Sequence, residues 1–250
     1  MKTFIEQNKF DLANVAGEKA AGIIQNAISR KGLVGIVIAT GASQDELLKY
    51  LVSKKHIDWT KVVVFHLDEY IGISENHPAS FRKYLKDYFL NQVGPVKEVH
   101  FVNGNAPDAQ KECRRISAMI SDYHIDLALV GIGENGHLAF NDPPADFRTK
   151  QPYIIVELDK RCRMQQVNEG CFPDIKEVPQ KAISMSVQQI MKSENVICFV
   201  PDLRKAEAVR NCLEHKISNA YPASILRQHT SCNLYLDADS SSLLHSESLK

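Results

Sequence analysis

Residues 126–144 read DLALVGIGENGHLAFNDPP, a span that joins an apolar run, three glycines, a histidine and an acid. Leu127 to Val130 is apolar at every position, the pattern of a strand covered on both faces inside a parallel sheet. Gly131, Gly133 and Gly136 then permit a sharp turn and close backbone approach to a ligand. They leave His137 just beyond the carboxyl end of the strand, where open α/β sheets bind their ligands. His137 exchanges a proton near neutral pH, Asp142 follows it closely, and Pro143 and Pro144 fix the departing chain.

Two other readings compete. The glycine spacing also matches a dinucleotide fingerprint, and Glu157 falls near the place of a ribose-binding acid. Such a site needs a helix to begin at the third glycine, whereas Asn141, Asp142, Pro143 and Pro144 stop the chain within about two turns. A structural glycine turn carrying a solvated histidine is the simpler alternative. It leaves the acid and the double proline without a purpose.

Upstream, Gly35 to Ala39 is a second buried strand that empties into Thr40, Gly41, Ala42 and Ser43 before a helix at about Gln44 to Val52. Such a turn offers backbone N–H groups and a positive helix end to a phosphate, and Ser43 as a simple helix cap fits equally well. Val62 to Leu67 is a third strand, ending at Asp68 and Glu69; adjacent residues on an extended chain point to opposite sides, so only one of these acids faces a given pocket. Helices are expected at Leu12 to Ser29, Ala79 to Leu90, Asp108 to Tyr123, Arg161 to Val167 and Lys205 to Leu213, with a short one at Pro222 to Leu226. Further strands are expected at Val99 to Val102, Tyr153 to Glu157, Ala182 to Met185, Val196 to Val200 and Asn233 to Leu236, and a loop at Cys171 to Pro179. Lys205 and Arg204 stand at a helix N-terminus, where they oppose its dipole and an anion would relieve them, with solvated surface side chains as the simpler reading. Residues 240–250 read as a serine-rich frayed tail.

The fold class expected is α/β, a three-layer α/β/α Rossmann-like arrangement around a mostly parallel sheet, in one domain spanning residues 1–250. Lysine plus arginine and aspartate plus glutamate number 30 each. With no basic field there is no sign of nucleic acid, and a small ligand is the simpler expectation. Six scattered cysteines, at 113, 162, 171, 198, 212 and 232, lack the pairing of a zinc site or the density of a disulfide scaffold and read as reduced thiols. MKTFIEQNKF lacks an apolar h-region and the longest apolar stretch is too short to span a bilayer, so a cytoplasmic protein without a membrane partner is expected.

Taken together, TGAS at 40–43, FHLDEYIGI at 65–73, HPASF at 77–81, NGNAPD at 103–108, GIGENGHLAFNDPP at 131–144 and PASILRQH at 222–229 resemble the glucosamine-6-phosphate deaminase/isomerase family over nearly the whole chain. The resemblance implies a Rossmann-like fold, no metal or nucleotide cofactor, and conversion of an aldose 2-amino sugar phosphate to a ketose phosphate with release of ammonia. It assigns ring opening to His137, oriented by Asp142 with Asn135 beside it, and the C2 base to Asp68, with Glu69 supporting the geometry. It places the phosphate on Thr40, Gly41, Ala42 and Ser43 with Lys205, and counts Glu69, Gly133 and Gly136 among the substrate contacts. The chain departs from the family pattern at Asp142, where many members carry glutamate, and at Gln166, which stands where relatives have a phosphate-binding arginine, with Arg161 and Arg163 nearby.

Three alternatives follow from the same resemblance. A 6-phosphogluconolactonase shares the fold and a glycine-rich segment ending in histidine; Tyr70 and Asn141-Asp142-Pro143 favour the deaminase. A galactosamine-6-phosphate enzyme differs by one hydroxyl away from the reacting centre. A non-catalytic sugar-phosphate sensor would need no C2 base, and Asp68, His137 and Asp142 argue against it. A homo-oligomer remains open.

Overall fold

The computed structural model describes residues 1–245. Its main sheet has the order β1-β10-β9-β6-β2-β3-β5 with every pairing parallel. The strands are β1 (Lys2–Glu6), β2 (Val34–Ile38), β3 (Val62–His66), β5 (Glu98–His100), β6 (Leu127–Val130), β9 (Asn195–Val200) and β10 (Cys232–Asp237). The organising stretch supplies the middle strand.

Alternation explains why the runs are continuously apolar. Val37, Phe65, Ala128, Val130 and Cys198 face one buried layer, while Ile36, Ile38, Val64, Leu129 and Phe199 face the other. The second layer is covered by α1 (Lys9–Lys31), by α2 (Asp45–Ser53) and by residues 81–93, a helix that opens as α3 (Phe81–Leu85), passes through a π-helical segment (Lys86–Leu90) and closes as α4 (Asn91–Val93). The first layer is covered by α5 (Ala109–Ser121), α7 (Val187–Met191) and α8 (Ala206–Glu214). Helix starts follow the capping residues: Asn8, Ser80 and Asp108 each accept backbone N–H bonds from the first turn of α1, α3 and α5. α1 ends at Gly32 in the left-handed conformation, φ 71°.

A second, three-stranded sheet is antiparallel, with β4 (Asp68–Tyr70), β8 (Lys181–Met185) and β7 (Tyr153–Glu157) in the order β4-β8-β7. It was not separable from the main sheet in the sequence. α6 (Lys160–Asn168) follows β7. The first residues of the frayed tail expected at 240–250 are held in place. Ser240 is buried, its N–H donating to Asp237 Oδ1 at 2.8 Å, and the His245 N–H donates to Glu214 Oε1 at 2.8 Å. Residues 246–250 of that expected tail lie outside the described residues. All six cysteines are free, and among the described residues no helix is long and apolar enough to cross a membrane.

From β2 the chain moves outward through β3 to β5, then returns to place β6 on the other side of β2 and continues through β9 to β10. The order therefore reverses between β2 and β6. In a doubly wound sheet the crevice opens at the carboxyl ends of these two strands.

Candidate active site

A cleft lies at that switch point. Ala39, Thr40 and Gly41 line it from the end of β2, Leu67 and Asp68 from the end of β3, and Gly131, Ile132 and Gly133 from the end of β6. Val200 at the end of β9 and Lys205 beyond it also line the cleft, with Phe81, Phe140, Gln165, Gln166 and Glu169.

Asp68 and Glu69 turn to opposite sides, as an extended chain requires. Asp68 lines the cleft and is 5% exposed. Burial pushes its carboxyl well above the usual range and neighbouring Glu69 adds to the push, with the Phe140 N–H opposing them. Glu69 is fully buried and turned away. Its carboxylate accepts from Ser80 Oγ at 2.8 Å, from the N–H groups of Tyr70, Phe81 and Arg82 at 3.0, 3.2 and 3.0 Å, and from Arg82 Nε at 3.3 Å. The expectation of a substrate contact at Glu69 is therefore corrected: apart from the Tyr70 N–H, its donors are Ser80, Phe81 and Arg82 at the start of α3, and it anchors that helix.

His137 is held over Gly133. A Cβ at residue 133 would stand 2.1 Å from Cε1 and Nε2 of the imidazole, so only glycine leaves room for the ring. Gly136, at φ 86°, turns the chain behind the histidine and does not line the cleft, which corrects its place among the substrate contacts. Behind the ring, His137 Nδ1 lies 3.1 Å from Asp142 Oδ1. Asn135 Nδ2 donates to Asp142 Oδ1 and to Asp159 Oδ2, both at 2.8 Å, while its Oδ1 accepts the His137 N–H at 3.1 Å. The Asp159 N–H donates to Asp142 Oδ2 at 2.9 Å. Burial pushes the Asp142 carboxyl up, but His137, Asn135 and the Asp159 amide outweigh it and hold it below the usual range. The His137–Asp142 pair is close but not aligned as a hydrogen bond, and a carboxylate this near Nδ1 favours the tautomer protonated there, with Nε2 left unprotonated. The aspartate thus reaches the imidazole without the extra methylene of a glutamate. Asp142 and Asn135 do not line the cleft; they act on it through His137.

Cys162 also adjoins this group. His137, Asp142 and Cys162 bring one donor atom each within 4.8 Å of one another, a donor set of the type zinc accepts, as do His124, Asp126 and Glu194 at the opposite end of β6. In the first set burial and the nearby Asp142 push the thiol pKa well up, which favours the protonated form.

Thr40, Gly41, Ala42 and Ser43 meet Lys205 across the cleft. Gly41, at φ 105°, leads into a 3₁₀ turn (Ala42–Gln44) and then α2. Neither the turn nor α2 has a side-chain cap, so the helix-cap alternative for Ser43 is not what the chain adopts. Thr40 Oγ1 is buried without a partner. Lys205 is 2% exposed; burial pushes its pKa down, and Glu169 and Glu134 oppose that.

The wall of α6 carries cleft residues that the sequence reading passed over: Gln165, and Glu169 at the helix end. Gln166 is buried and accepts from Tyr70 Oη at 2.7 Å. Arg163 turns away, its Nη2 donating to the carbonyls of Ile175 and Val178. The only sequence signal here was the Gln-Gln pair on an otherwise charged helix.

A cleft at the switch point of a doubly wound sheet, lined by a buried carboxylate and a histidine backed by an aspartate, is the site of an α/β enzyme that moves protons on a small bound ligand. The model of the glucosamine-6-phosphate isomerases/6-phosphogluconolactonase family matches residues 7–235, and the chain belongs to that family. It is 33% identical over 255 residues to a glucosamine-6-phosphate deaminase of Thermoanaerobacter pseudethanolicus, covering 100% of this chain and 98% of the relative. Glucosamine-6-phosphate deaminase 1 of Bacillus subtilis is 34% identical over 229 residues, covering 90% of this chain and 93% of the relative. Among solved structures, a monomeric glucosamine-6-phosphate deaminase superposes with a TM-score of 0.89 at 30% identity, over 98% of this chain and all of the other. The 6-phosphogluconolactonase of Trypanosoma brucei superposes at 0.81 with 16% identity over 98% of each chain, a likeness of fold alone.

Proposed function

We propose that this chain isomerises and deaminates glucosamine 6-phosphate, giving fructose 6-phosphate and ammonia. The observation that carries the reading is that Asp68 and His137 line one cleft together with Lys205 and the turn at residues 40–43. Three groups spaced along one cleft match three needs of the reaction: a base at C2, a proton carrier at the ring oxygen, and a seat for the phosphate.

His137, with Asp142 fixing its tautomer, moves a proton from the anomeric hydroxyl to the ring oxygen and opens the ring. Asp68 then removes the C2 proton from the open-chain aldehyde. The resulting enolamine takes a proton at C1 to give the ketose imine, and water adds at C2 and expels ammonia, so one water is consumed for each ammonia released. A carboxylate raised by burial is a stronger base once ionised than a solvated one, which suits abstraction from carbon. Lys205 and the N–H groups of the 40–43 turn take the phosphate, remote from the bonds that change. Gly133 and Gly136 serve by seating and turning the His137 segment.

The test is ammonia release from glucosamine 6-phosphate and from galactosamine 6-phosphate, with hydrolysis of 6-phosphogluconolactone measured alongside. Release from the glucosamine substrate at the higher kcat/KM is expected. Preference for the galactosamine epimer would reassign the substrate; lactone hydrolysis without ammonia release would refute the reading.

A further inference from the structure

The charge at the phosphate end of the cleft does not balance on Lys205 alone. Glu169 lines the same end with a side chain only 7% exposed, and Gln166 is uncharged with its Oε1 engaged by Tyr70. A phosphate ester brings between one and a half and two negative charges, by the rough rule for phosphomonoesters near neutral pH. One lysine beside a buried carboxylate is a poor match for it, since the carboxylate repels the ligand that the lysine attracts.

A second cation stands outside the lining, next to Glu169, which does line the cleft. Arg204 precedes Lys205, and its guanidinium Nη1 lies 3.5 Å from Glu134 Oε1 and 3.6 Å from Glu169 Oε1, with Nη2 3.7 Å from Asp202 Oδ2. All three contacts are longer than a charge-assisted hydrogen bond, and the side chain is 42% exposed. Its backbone, in contrast, is fixed. Asp202 sits at φ 83° and its N–H donates to both carboxylate oxygens of Asp237, at 3.3 and 3.1 Å. An anchored main chain with a side chain held only by long charge contacts can re-aim that side chain at small cost.

We infer that Arg204 is the second phosphate-binding cation of the cleft, exchanging its long contacts with Glu169 and Glu134 for the phosphate oxygens of the incoming substrate. The inference rests on the reading that the substrate carries a phosphate. A planar guanidinium donates two parallel bonds to a phosphate, a better geometry than it has in any of its three present contacts. The exchange also bears on the histidine. Glu134 belongs to the glycine segment that carries His137, its N–H donates to Gln165 Oε1 at 3.1 Å, and Gln165 Nε2 donates to Glu169 Oε1 at 2.9 Å. The acids that hold Arg204 in waiting are therefore joined to the segment that seats the imidazole.

The experiment is calorimetric titration of wild type, Arg204→Gln, Arg204→Lys and Glu169→Gln with glucitol 6-phosphate, which has no carbonyl to isomerise, and with inorganic phosphate. Arg204→Gln is expected to weaken binding of glucitol 6-phosphate by roughly ten- to a hundredfold, the scale of a lost charge-assisted bond. Arg204→Lys should recover part of that loss, and Glu169→Gln should tighten both ligands by removing the opposing charge. Wild-type affinity in Arg204→Gln, with the wild type binding glucitol 6-phosphate, overturns the inference and leaves the proposed substrate class standing. Failure of the wild type to bind either phosphate compound would overturn the substrate reading and the inference with it.

Discussion

Asp68→Asn should make the protein more stable and nearly inactive, and the two effects have one cause. The carboxylate is 5% exposed, beside a fully buried Glu69, and burial raises its pKa well above that of a solvated aspartate. A carboxyl whose folded pKa lies above its unfolded value stabilises the fold only when protonated. Its contribution is full below about pH 4, where both states hold the proton, and is lost as pH rises through the folded pKa. At neutral pH the charge is thus a cost that the amide removes. Relief of a buried, destabilised site residue commonly returns about 0.5–2 kcal/mol, so for a chain of this length the thermal midpoint should rise by roughly 1–8 °C. The gain should vanish near pH 4. Turnover should fall roughly a hundredfold or more with ligand binding largely kept, since the lost group acts on a proton in the transition state. The assay pairs a thermal melt at several pH values with exchange of the substrate C2 hydrogen in deuterated solvent. A variant that still exchanges that hydrogen at the wild-type rate, or that melts lower at neutral pH, refutes the reasoning.

Glu69→Gln tests the same stretch from its other face: burial raises this carboxyl too, but loss of its bonds to Arg82, Ser80 and the first turn of α3 should outweigh the relief and destabilise by roughly 1–3 kcal/mol; a melt unchanged from wild type would contradict that role. His137→Gln should impair turnover of the cyclic sugar more than of an open-chain analogue, and equal losses on both would remove His137 from ring opening. Gly133→Ala puts a Cβ 2.1 Å from the imidazole; it should cost turnover at least tenfold, by the rough scale of catalytic misplacement, with a shifted His137 ring resonance, and an unshifted ring would refute the packing argument. His66 is buried with both ring nitrogens lacking partners and its pKa pushed down to about 3, so it opposes acid: stability is full above its unfolded pKa near 6.5 and is lost as pH falls toward 3. His66→Leu should therefore shift the acid-unfolding midpoint downward; an unchanged midpoint would show that other groups govern acid unfolding.

The sheet was legible where burial on both faces makes a strand apolar throughout, as at Val62 to Leu67 and Leu127 to Val130. β1 escaped because Lys2–Glu6 is an edge strand with charged ends, and only pairing with β10 makes it a strand. β4 escaped for a related reason: Asp68, Glu69 and Tyr70 look like a polar turn, and their extended form comes from pairing with β8, far along the chain. In the site, His137 and the 40–43 turn stand out because each follows the carboxyl end of a parallel strand, whereas Asp68 and Lys205 are singled out only by the resemblance to the family. Glu69 and Asp68 have the same chemistry in a string of letters, and alternation shows that they diverge without saying which one faces the cleft.

The α6 wall was the least legible part, and its placement depends on one acid. Asp159 reads as an ordinary helix cap, and its Oδ1 does accept the Cys162 N–H at 2.7 Å. Its Oδ2 accepts from Asn135, and its own N–H donates to Asp142. The start of α6 is thereby bonded to the two residues that hold His137. From that fixed start the helical repeat brings Gln165 and Gln166, and then Glu169 just past the helix end, to the cleft. No local pattern could reveal this, because it needs the cap of one element to be the hydrogen-bond partner of another. The same bonds tie the geometry at the phosphate end to the geometry at the imidazole, since a shift of α6 moves Glu169 and pulls on Asn135 and Asp142 together.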